Sequence, residues 1–202
     1  MALTYLTRTP SSGGNRKIFT FSTWIKRSKI GVSQSIIGQT TETSGNDYFR
    51  IIFDGGATTD QLRVFSSNGN MNKITSMKFR DTSNWYHIVC AFDTTQSTAS
   101  NRNRIYVNGV EQTSFATDNN VDINTSFEFN ITNECTIGRK AYDNTDFFDG
   151  LMSHIHFIDG TQYTASNFGS VDSTTGEWQI NTSPLVTYGT NGFFILKDGN
   201  SV

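Results

Sequence analysis

Apolar and polar residues alternate along several short segments of the chain. The clearest case is the segment 120–131, where apolar residues share one parity and polar residues the other. The apolar residues are Val121, Ile123, Phe127, Phe129 and Ile131. A period of two is that of a β-strand with one buried and one solvated face. This segment is therefore predicted to be a strand.

Other segments rich in β-branched and aromatic residues predict further strands. They are 17–27, 34–38, 48–53, 61–65, 74–79, 85–92, 104–110, 135–139, 147–158 and 193–197. Asn108-Gly109 lies between two such runs and predicts a type I′ hairpin turn. About a dozen short strands without a convincing helix predict an all-β fold, an antiparallel β-sandwich of the jelly-roll kind.

Length and composition support this fold class. The 202 residues suit one large domain, and the chain is 35 % hydrophobic, 13 % aromatic and 17 % charged. Thr, Phe and Tyr suit strands, whereas Asn and Gly suit turns. Residues 1–16, which end in a Pro/Ser/Gly/Asn cluster, are predicted to be an N-terminal arm. Residues 17–202 are predicted to form one sandwich domain.

Charge and targeting signals narrow the classes of partner. A net charge of −2 argues against binding of nucleic acid or anionic membrane. The N-terminus lacks the apolar stretch of a signal peptide, and no segment approaches the ~20 apolar residues of a membrane span. The protein is thus expected to be soluble and made in the cytoplasm. Cys90 and Cys135, its two cysteines, are interpreted as free core thiols.

Four polar residues at every second position raise the question of calcium. They are Asp118, Asn120, Asp122 and Asn124. An EF-hand loop needs Gly at its sixth position and Glu at its twelfth, but Ile123 and Phe129 stand there. The polar face of a strand explains the same residues. No metal site is assigned, and calcium is the one cofactor left open.

His154 and His156 are two apart and are expected to point to one face of a strand. Such a pair can hold a transition metal only with a third ligand. His87 is the remaining histidine, and nothing in the sequence places it nearby. Ordinary hydrogen bonding is therefore the preferred interpretation.

Catalytic signatures are missing from the sequence. A retaining glycosidase needs two carboxyl groups about 5 Å apart, and no glutamate pairs with another acid at short spacing. Nucleophile-elbow, Cys/His and phosphate-loop motifs do not occur. The chain is predicted not to be an enzyme, although acids distant in sequence could still converge.

The loop at 142–146 has the composition of a sugar-binding loop. Aromatic faces stack on sugar rings, while amides and carboxylates bind hydroxyls. The candidate carbohydrate ligands are Tyr142, Asp143, Asn144 and Asp146. A loop of this kind also simply solvates the end of a sandwich, and both interpretations stay open.

Four segments resemble, in order and spacing, the strands of concanavalin A-like, laminin G-like domains. They are 21–27 (FSTWIKR), 84–93 (NWYHIVCAFD), 104–110 (RIYVNGV) and 148–151 (FDGL). The resemblance implies the fold of that family, which includes glucanases, lectins and adhesive modules. Its glucanase motif, E-x-D-x-x-E, has no match here, so hydrolysis does not carry over. Calcium ligands known in some members cannot be matched residue by residue.

A narrower resemblance is to structural proteins of marine bacteriophages. It rests on 81–87 (DTSNWYH), 157–160 (FIDG), 168–169 (FG) and 188–193 (YGTNGF). Those proteins are known as virion or tail-fibre-like proteins. Their chains often continue further, so residues 1–202 are expected to be the N-terminal part of a longer protein.

The resemblance implies a virion surface protein: a tail fibre, head fibre or capsid decoration. Its expected partners are other virion proteins and host-surface glycans, and it is expected to be a homo-oligomer on the particle, assembled in the host cytoplasm. The alternative is a purely architectural module that stabilises a capsid or fibre without binding glycans. A glycan hydrolase with an unrecognised acid pair is the third hypothesis.

Overall fold

Two antiparallel sheets make up most of the fold in the computed structural model, which describes residues 4–41 and 48–197. In chain order the strands are β1 (Leu6–Arg8), β2 (Ile18–Arg27), β3 (Gln34–Thr40), β4 (Tyr48–Phe53), β5 (Gln61–Ser66), β6 (Asn72–Lys78), β7 (Tyr86–Asp93), β8 (Asn103–Val107), β9 (Val110–Glu111), β10 (Phe115–Asn119), β11 (Cys135–Ile137), β12 (Gly150–Asp159), β13 (Gly169–Val171), β14 (Trp178–Ile180) and β15 (Phe193–Ile195). Short 3-10 turns cover Asn68–Asn70, Ala99–Asn101 and Ala165–Asn167.

The two sheets have seven and six strands. The larger sheet has the order β1-β11-β3-β4-β5-β6-β10, and the smaller has the order β15-β12-β2-β7-β8-β9. A separate hairpin pairs β13 with β14. The prediction of an all-β, antiparallel sandwich is confirmed. Within the described residues, no helix is long and apolar enough to span a membrane.

The main core lies between the sheets and is rich in phenylalanine. Phe19 on β2 is fully buried, and its ring centroid lies 4.6 Å from that of Phe92 on β7. It also contacts Phe49 of the opposite sheet at 5.6 Å. Aromatic pairs at these separations add attraction beyond the burial of area, so this cluster joins the two sheets.

A second core covers the outer face of the six-stranded sheet. Val89, Ala91 and Ile158 point outward from that sheet, and residues 160–190 fold back over them. Phe168 is 1 % exposed in this layer. The sheet is therefore covered on both faces at β7, which explains why every residue of β7 is buried, the polar His87 and Asp93 included.

The predicted hairpin turn is confirmed. Asn108 and Gly109 have φ angles of +48° and +82°, and Val107 pairs with Val110 across them. Positive φ at both central residues defines a type I′ turn.

Cys90 and Cys135 are free, as predicted. Cys90 is buried, and Cys135 is partly buried at the edge of the main core.

The predicted strand over 120–131 is wrong. Strand β10 ends at Asn119, and the following residues form turns and irregular backbone. Asn124 and Asn130 have φ angles of +61° and +62°, which a strand cannot accommodate. The apolar parity is kept only in part, since Ile123 is 50 % exposed. The members that do reach the core are Val121, Phe127 and Phe129.

Part of the predicted N-terminal arm belongs to a sheet. Leu6–Arg8 forms β1, which pairs with β11 at the edge of the seven-stranded sheet. The first residues of the predicted arm, 1–3, and the last residues of the predicted domain, 198–202, lie outside the described residues. Besides β1, the pattern missed β10, β13 and β14, which are short or carry no alternation.

Candidate functional site

All three tryptophans of the chain line one cleft. The cleft has a volume of about 390 Å³ and lies on the outer side of the six-stranded sheet, against β14. Its lining residues are Trp24, Trp85, Ser153, His154, Trp178, Gln179 and Ile180. Such a concentration of the largest aromatic side chains forms a flat-walled apolar site with a polar rim.

Strand pairing brings these residues together from distant parts of the chain. Trp24 on β2 is paired with His87 on β7 and with Ser153 on β12. Trp85 immediately precedes β7 and is 37 % exposed. Trp178 begins β14, so one wall of the cleft comes from the segment that covers the sheet.

His87 lies between two of the tryptophans, with its ring nearly parallel to both indoles. Its ring centroid is 5.0 Å from that of Trp24 and 5.9 Å from that of Trp178, with interplanar angles of 18° in both cases. Trp178 Nε1 donates a hydrogen bond of 2.9 Å to His87 Nδ1. Because the indole N–H and the imidazole lone pair both lie in their ring planes, this hydrogen bond sets the orientation of the Trp178 wall.

The tautomer of His87 follows from this network. An indole nitrogen only donates, so Nδ1 of His87 is the acceptor and Nε2 carries the proton. Nε2 then donates to Ser22 Oγ at 2.9 Å. Burial, with a smaller contribution from the charge of His156, lowers the pKa of His87 to about 3. The ring is neutral at physiological pH.

Ser22 and His87 do not form a nucleophile and general base in this arrangement. A base must accept the hydroxyl proton, whereas His87 donates to the hydroxyl oxygen. Both residues are fully buried. Their bond therefore serves the structure of the cleft wall.

Two glycines leave room for the Trp178 indole. A Cβ atom at Gly109 would lie 2.4 Å from the Trp178 ring, and one at Gly169 would lie 2.7 Å from it. Since real Cβ contacts are not this short, the indole can take its position only over backbone without side chains. The hairpin turn thus supports the cleft as well as joining two strands.

A β-bulge separates the environments of His154 and His156. The register of β12 against β2 shifts between Ser153 and His156, and His154 has a φ angle of +47°. The expectation that spacing alone puts both side chains on one face therefore fails. His154 lines the cleft, whereas His156 is 1 % exposed and bonded to Tyr188. In the described part of the chain, no three His, Cys, Asp or Glu residues are grouped to hold a metal.

The sequence-predicted sugar loop lies away from this cleft, and its polar groups are already bonded. Asp143 accepts from Lys140 Nζ at 2.6 Å, and Asp146 accepts from Arg50 Nη2 at 2.7 Å. Asn144 accepts from Arg139. The Lys140 ammonium lies 4.4 Å from the centroid of the Tyr142 ring. Sugar binding by Tyr142, Asp143, Asn144 and Asp146 stays a prediction that would require some of these contacts to break.

The calcium pattern is divided between two local structures. Asp118 lies in β10, where its Oδ1 is 3.3 Å from Lys73 Nζ. Asn120, Asp122 and Asn124 follow in irregular backbone. The lysine takes the place of a cation at Asp118, and calcium binding here stays an open expectation.

The family of the chain is shown by sequence comparison. A model described as the concanavalin A-like lectin/glucanases superfamily, Laminin_G_3, matches residues 4–166. The chain belongs to this superfamily. The predicted concanavalin A-like, laminin G-like fold is thereby confirmed. A comparison with curated proteins found no match.

Solved structures with the same fold include several carbohydrate-related proteins. A putative carbohydrate binding protein from Bacteroides ovatus has a TM-score of 0.57 at 16 % identity, and the alignment covers 90 % of this chain and 59 % of that one. A pentraxin from Limulus polyphemus gives 0.57 at 12 % identity, with 88 % and 85 % covered. Domain 4 of an extracellular arabinanase from Geobacillus stearothermophilus, solved with arabinotriose, gives 0.51 at 17 %, with 76 % and 65 % covered. The TM-scores show a shared fold, and at identities this low they show the fold alone.

Three of the seven lining residues of the cleft lie outside the part of the chain that matches the family model. Trp24 and Trp85 fall within residues 4–166, whereas Trp178 and its two neighbours follow it. In the sequence, Trp24 and Trp85 belong to segments of the family resemblance, whereas Trp178 lies outside those segments and outside every predicted strand. The small number of tryptophans, three in the chain, was the one sequence feature that could have drawn attention to them. Their convergence on one cleft depends on long-range strand pairing.

Proposed function

We propose that this concanavalin A-like domain is a non-enzymatic glycan-binding module and that the three-tryptophan cleft is its binding site. The main support is that every tryptophan of the chain lines this one cleft. One of the three, Trp85, is partly exposed. Indole faces stack on the apolar faces of sugar rings, and the rim supplies polar groups for hydroxyls. The carbohydrate-related proteins of similar fold support this class of ligand.

The rim chemistry favours a neutral glycan. Across residues 4–41 and 48–197, no lysine, arginine, aspartate or glutamate lines the cleft. Anionic sugars are usually held by arginine or lysine, which supply charge-assisted hydrogen bonds. Gln179 and Ser153 instead offer uncharged donors and acceptors. Hydrolysis is disfavoured at this site because it would need two carboxyl groups across the bound sugar.

The cleft is also organised in advance of binding. The hydrogen bond to His87 and the close backbone of Gly109 and Gly169 hold Trp178, so little side-chain entropy remains to be lost on that wall. The buried Nε1 of Trp24 has no hydrogen-bond partner in the described residues. A small rearrangement would allow a ligand hydroxyl to accept from it, which would satisfy an otherwise unpaired donor.

The setting we propose is the surface of a virion, as a tail fibre, head fibre or capsid decoration. This part rests on the resemblance to marine bacteriophage structural proteins. A single shallow cleft of this size supports weak binding, and many copies on one particle would raise the avidity without any new contact. Contacts with other virion proteins and a homo-oligomeric state belong to the same proposal.

The test is a glycan array that contains neutral and anionic marine bacterial polysaccharides, followed by calorimetry on hits. Trp85→Ala is expected to weaken binding about tenfold, the effect of losing one stacked ring. Tyr142→Ala is the matched control, because it removes an aromatic from the rival loop. Binding should persist in EDTA.

Each result of this test has a definite meaning. Loss of binding in Tyr142→Ala but not in Trp85→Ala would move the site to the 142–146 loop. Loss in EDTA would establish a calcium-dependent lectin and contradict the neutral, metal-free mode. If the folded protein binds none of the glycans on the array, the result would favour the architectural alternative. Tyr5 and Leu6, 44 % and 40 % exposed near the N-terminus, would then be the first surface to test for subunit contacts.

A further inference from the structure

A second cavity opens at the lateral edge of the sandwich, and its lining differs from that of the tryptophan cleft. It lies between β1 and β11 of the seven-stranded sheet and β12 and β15 of the six-stranded sheet. We call it the edge groove. Its volume is about 560 Å³, which is within the usual range of small-molecule sites. Its apolar lining includes Leu6, Phe129, Ile137, Phe157, Phe193 and Ile195.

The floor of the edge groove is the main core itself. Phe129, Phe157 and Ile137 are 2 %, 4 % and 7 % exposed, and they belong to the central cluster. An apolar ligand that covers this floor removes apolar surface from water, which is favourable. The edge groove is therefore suited to a hydrocarbon chain.

Polar side chains along the edge groove are bonded to the protein. Gln39 Nε2 donates to the carbonyl oxygens of Ile131 and Asn133, at 2.9 and 2.6 Å. Asn191 Nδ2 donates to Asn130 Oδ1 at 2.8 Å. These groups have little left for the hydroxyls of a sugar, so the edge groove differs from the tryptophan cleft in the ligand it suits.

Arg8 is the charged residue of the edge groove. It is exposed, its Nη1 donates to the carbonyl oxygen of Asn191 at 2.6 Å, and its guanidinium lies 5.7 Å from the centroid of the Phe193 ring. In the described residues it has no carboxylate partner within ion-pair distance. A guanidinium has five donors, so several remain for an anion.

We propose that the edge groove binds a long-chain carboxylate, with the hydrocarbon tail along the apolar lining and the carboxylate at Arg8. Such an amphiphile matches three features of the edge groove. These are its apolar floor, its polar side chains that are already hydrogen-bonded, and one cation without a carboxylate partner. Arginine binds carboxylates through planar, charge-assisted hydrogen bonds. This site is independent of the glycan proposal.

Calorimetry with dodecanoate and dodecanol, both below their aggregation concentrations, tests the proposal on the whole chain. The wild type is expected to bind one dodecanoate, at least about tenfold tighter than dodecanol, as one charge-assisted hydrogen bond to carboxylate allows. Arg8→Met should abolish the difference between the two ligands, and Arg8→Lys should keep part of it. Arg104→Met is the control, since Arg104 is on the opposite side of the smaller sheet, paired with Glu111.

Protection of Cys135 locates the bound ligand. Cys135 lines the edge groove, while Cys90 is fully buried elsewhere in the core. Burial raises the pKa of Cys135 to about 12, so its alkylation by a neutral maleimide is slow and is followed over hours at pH 8. Dodecanoate should slow it at least several-fold. Equal affinities for acid and alcohol, no saturable binding, or binding without protection of Cys135 would each overturn the proposal.

Discussion

His87 illustrates how much one buried side chain decides in this domain. It orients Trp178, stacks on Trp24 and bonds Ser22, all in its neutral form. His156, buried beneath Tyr188 and Phe194, is neutral for the same reason. Burial lowers the pKa of His156 to about 3, as it does for His87. The outer face of the smaller sheet thus depends on two histidines that the fold keeps uncharged.

These histidines predict a pH dependence of stability. Because their pKa is lower in the folded than in the unfolded chain, the unfolded chain takes up protons first. Their contribution is complete above pH 6.5 and declines towards pH 3, by about 1.4 kcal/mol per pH unit for each histidine. Urea unfolding between pH 6.5 and 4.5 should show this slope, and His156→Gln should reduce it by about half. An unchanged slope in the variant would contradict the assignment.

A buried ion pair at Arg27 and Asp60 anchors one end of the sandwich. Their side chains are 0 % and 2 % exposed, and Arg27 Nη1 lies 3.1 Å from Asp60 Oδ1. Burial raises the pKa of Asp60, but hydrogen bonds from the Gly31 amide, Arg80 and Arg27 outweigh it, so the pKa lies below its usual value. The carboxylate thus gathers the 28–33 turn and two arginines around itself.

Asp60→Asn should therefore be strongly destabilising. Asn tolerates the positive φ of residue 60, +64°, so the substitution removes mainly the charge. It leaves Arg27 buried and unpaired, at a cost of about 3–5 kcal/mol in the free energy of unfolding. Glu111→Gln is the matched control, because its pair with Arg104 is about one-third exposed and worth about 0–1 kcal/mol. Similar losses in the two variants, measured by urea unfolding, would count against this account.

At the scale of elements, the β8–β9 hairpin serves both the sheet and the cleft. Its type I′ turn needs positive φ at Gly109, and the Trp178 indole packs directly on that glycine. The β12 bulge acts similarly, since it places His154 in the cleft while the strand continues into the core. Two local irregularities of the sheet therefore shape the site.

Gly109→Ala separates these two roles when compared with Gly176→Ala. Gly176 also has positive φ, +74°, but a Cβ there meets no atom within 4 Å. Gly176→Ala should cost about 1–2 kcal/mol, the price of a left-handed alanine. Gly109→Ala should cost more, shift the tryptophan fluorescence and weaken glycan binding. Equal effects of both variants on fluorescence and binding would show that the Trp178 contact does not matter.

At the scale of the whole molecule, the segment after residue 160 converts a two-layer sandwich into a partly three-layer structure. It buries the outer residues of β7 and β12 and supplies the Trp178 wall. A layer of this size on both faces of one sheet should unfold together with that sheet. Integrity of the cleft is then coupled to global stability.

Phe168→Ala tests this coupling. Phe168 is 1 % exposed in the outer layer, and its truncation should lower the free energy of unfolding by about 3–5 kcal/mol in one cooperative transition. Val171→Ala, at a residue 61 % exposed, should have almost no effect. A loss of the outer layer at low denaturant, with an unchanged main transition, would instead indicate two independent units. Near-UV circular dichroism and denaturant titration distinguish these results.

The sequence by itself determined the fold class and much of the strand pattern. Predicted strands 17–27 and 85–92 agree with Ile18–Arg27 and Tyr86–Asp93, because their residues satisfy both local propensity and burial. The Asn108-Gly109 turn was readable because its backbone requirement is local. The family membership was likewise carried by short motifs in order. All of these depend on residues within one element or one turn.

Two features were decided by tertiary structure alone. One is the absence of a strand in a segment whose apolar and polar residues alternate, and the other is the location of the candidate site. Residues 120–131 kept part of their buried parity while two positive-φ asparagines broke the strand, since packing can bury a side chain from irregular backbone. The tryptophan cleft joins residues 24, 85, 154 and 178 through pairing of β2 with β7 and β12, a bulge, and a segment that folds back. Such contacts depend on long-range register and closure, and short-range periodicity carries no information about either.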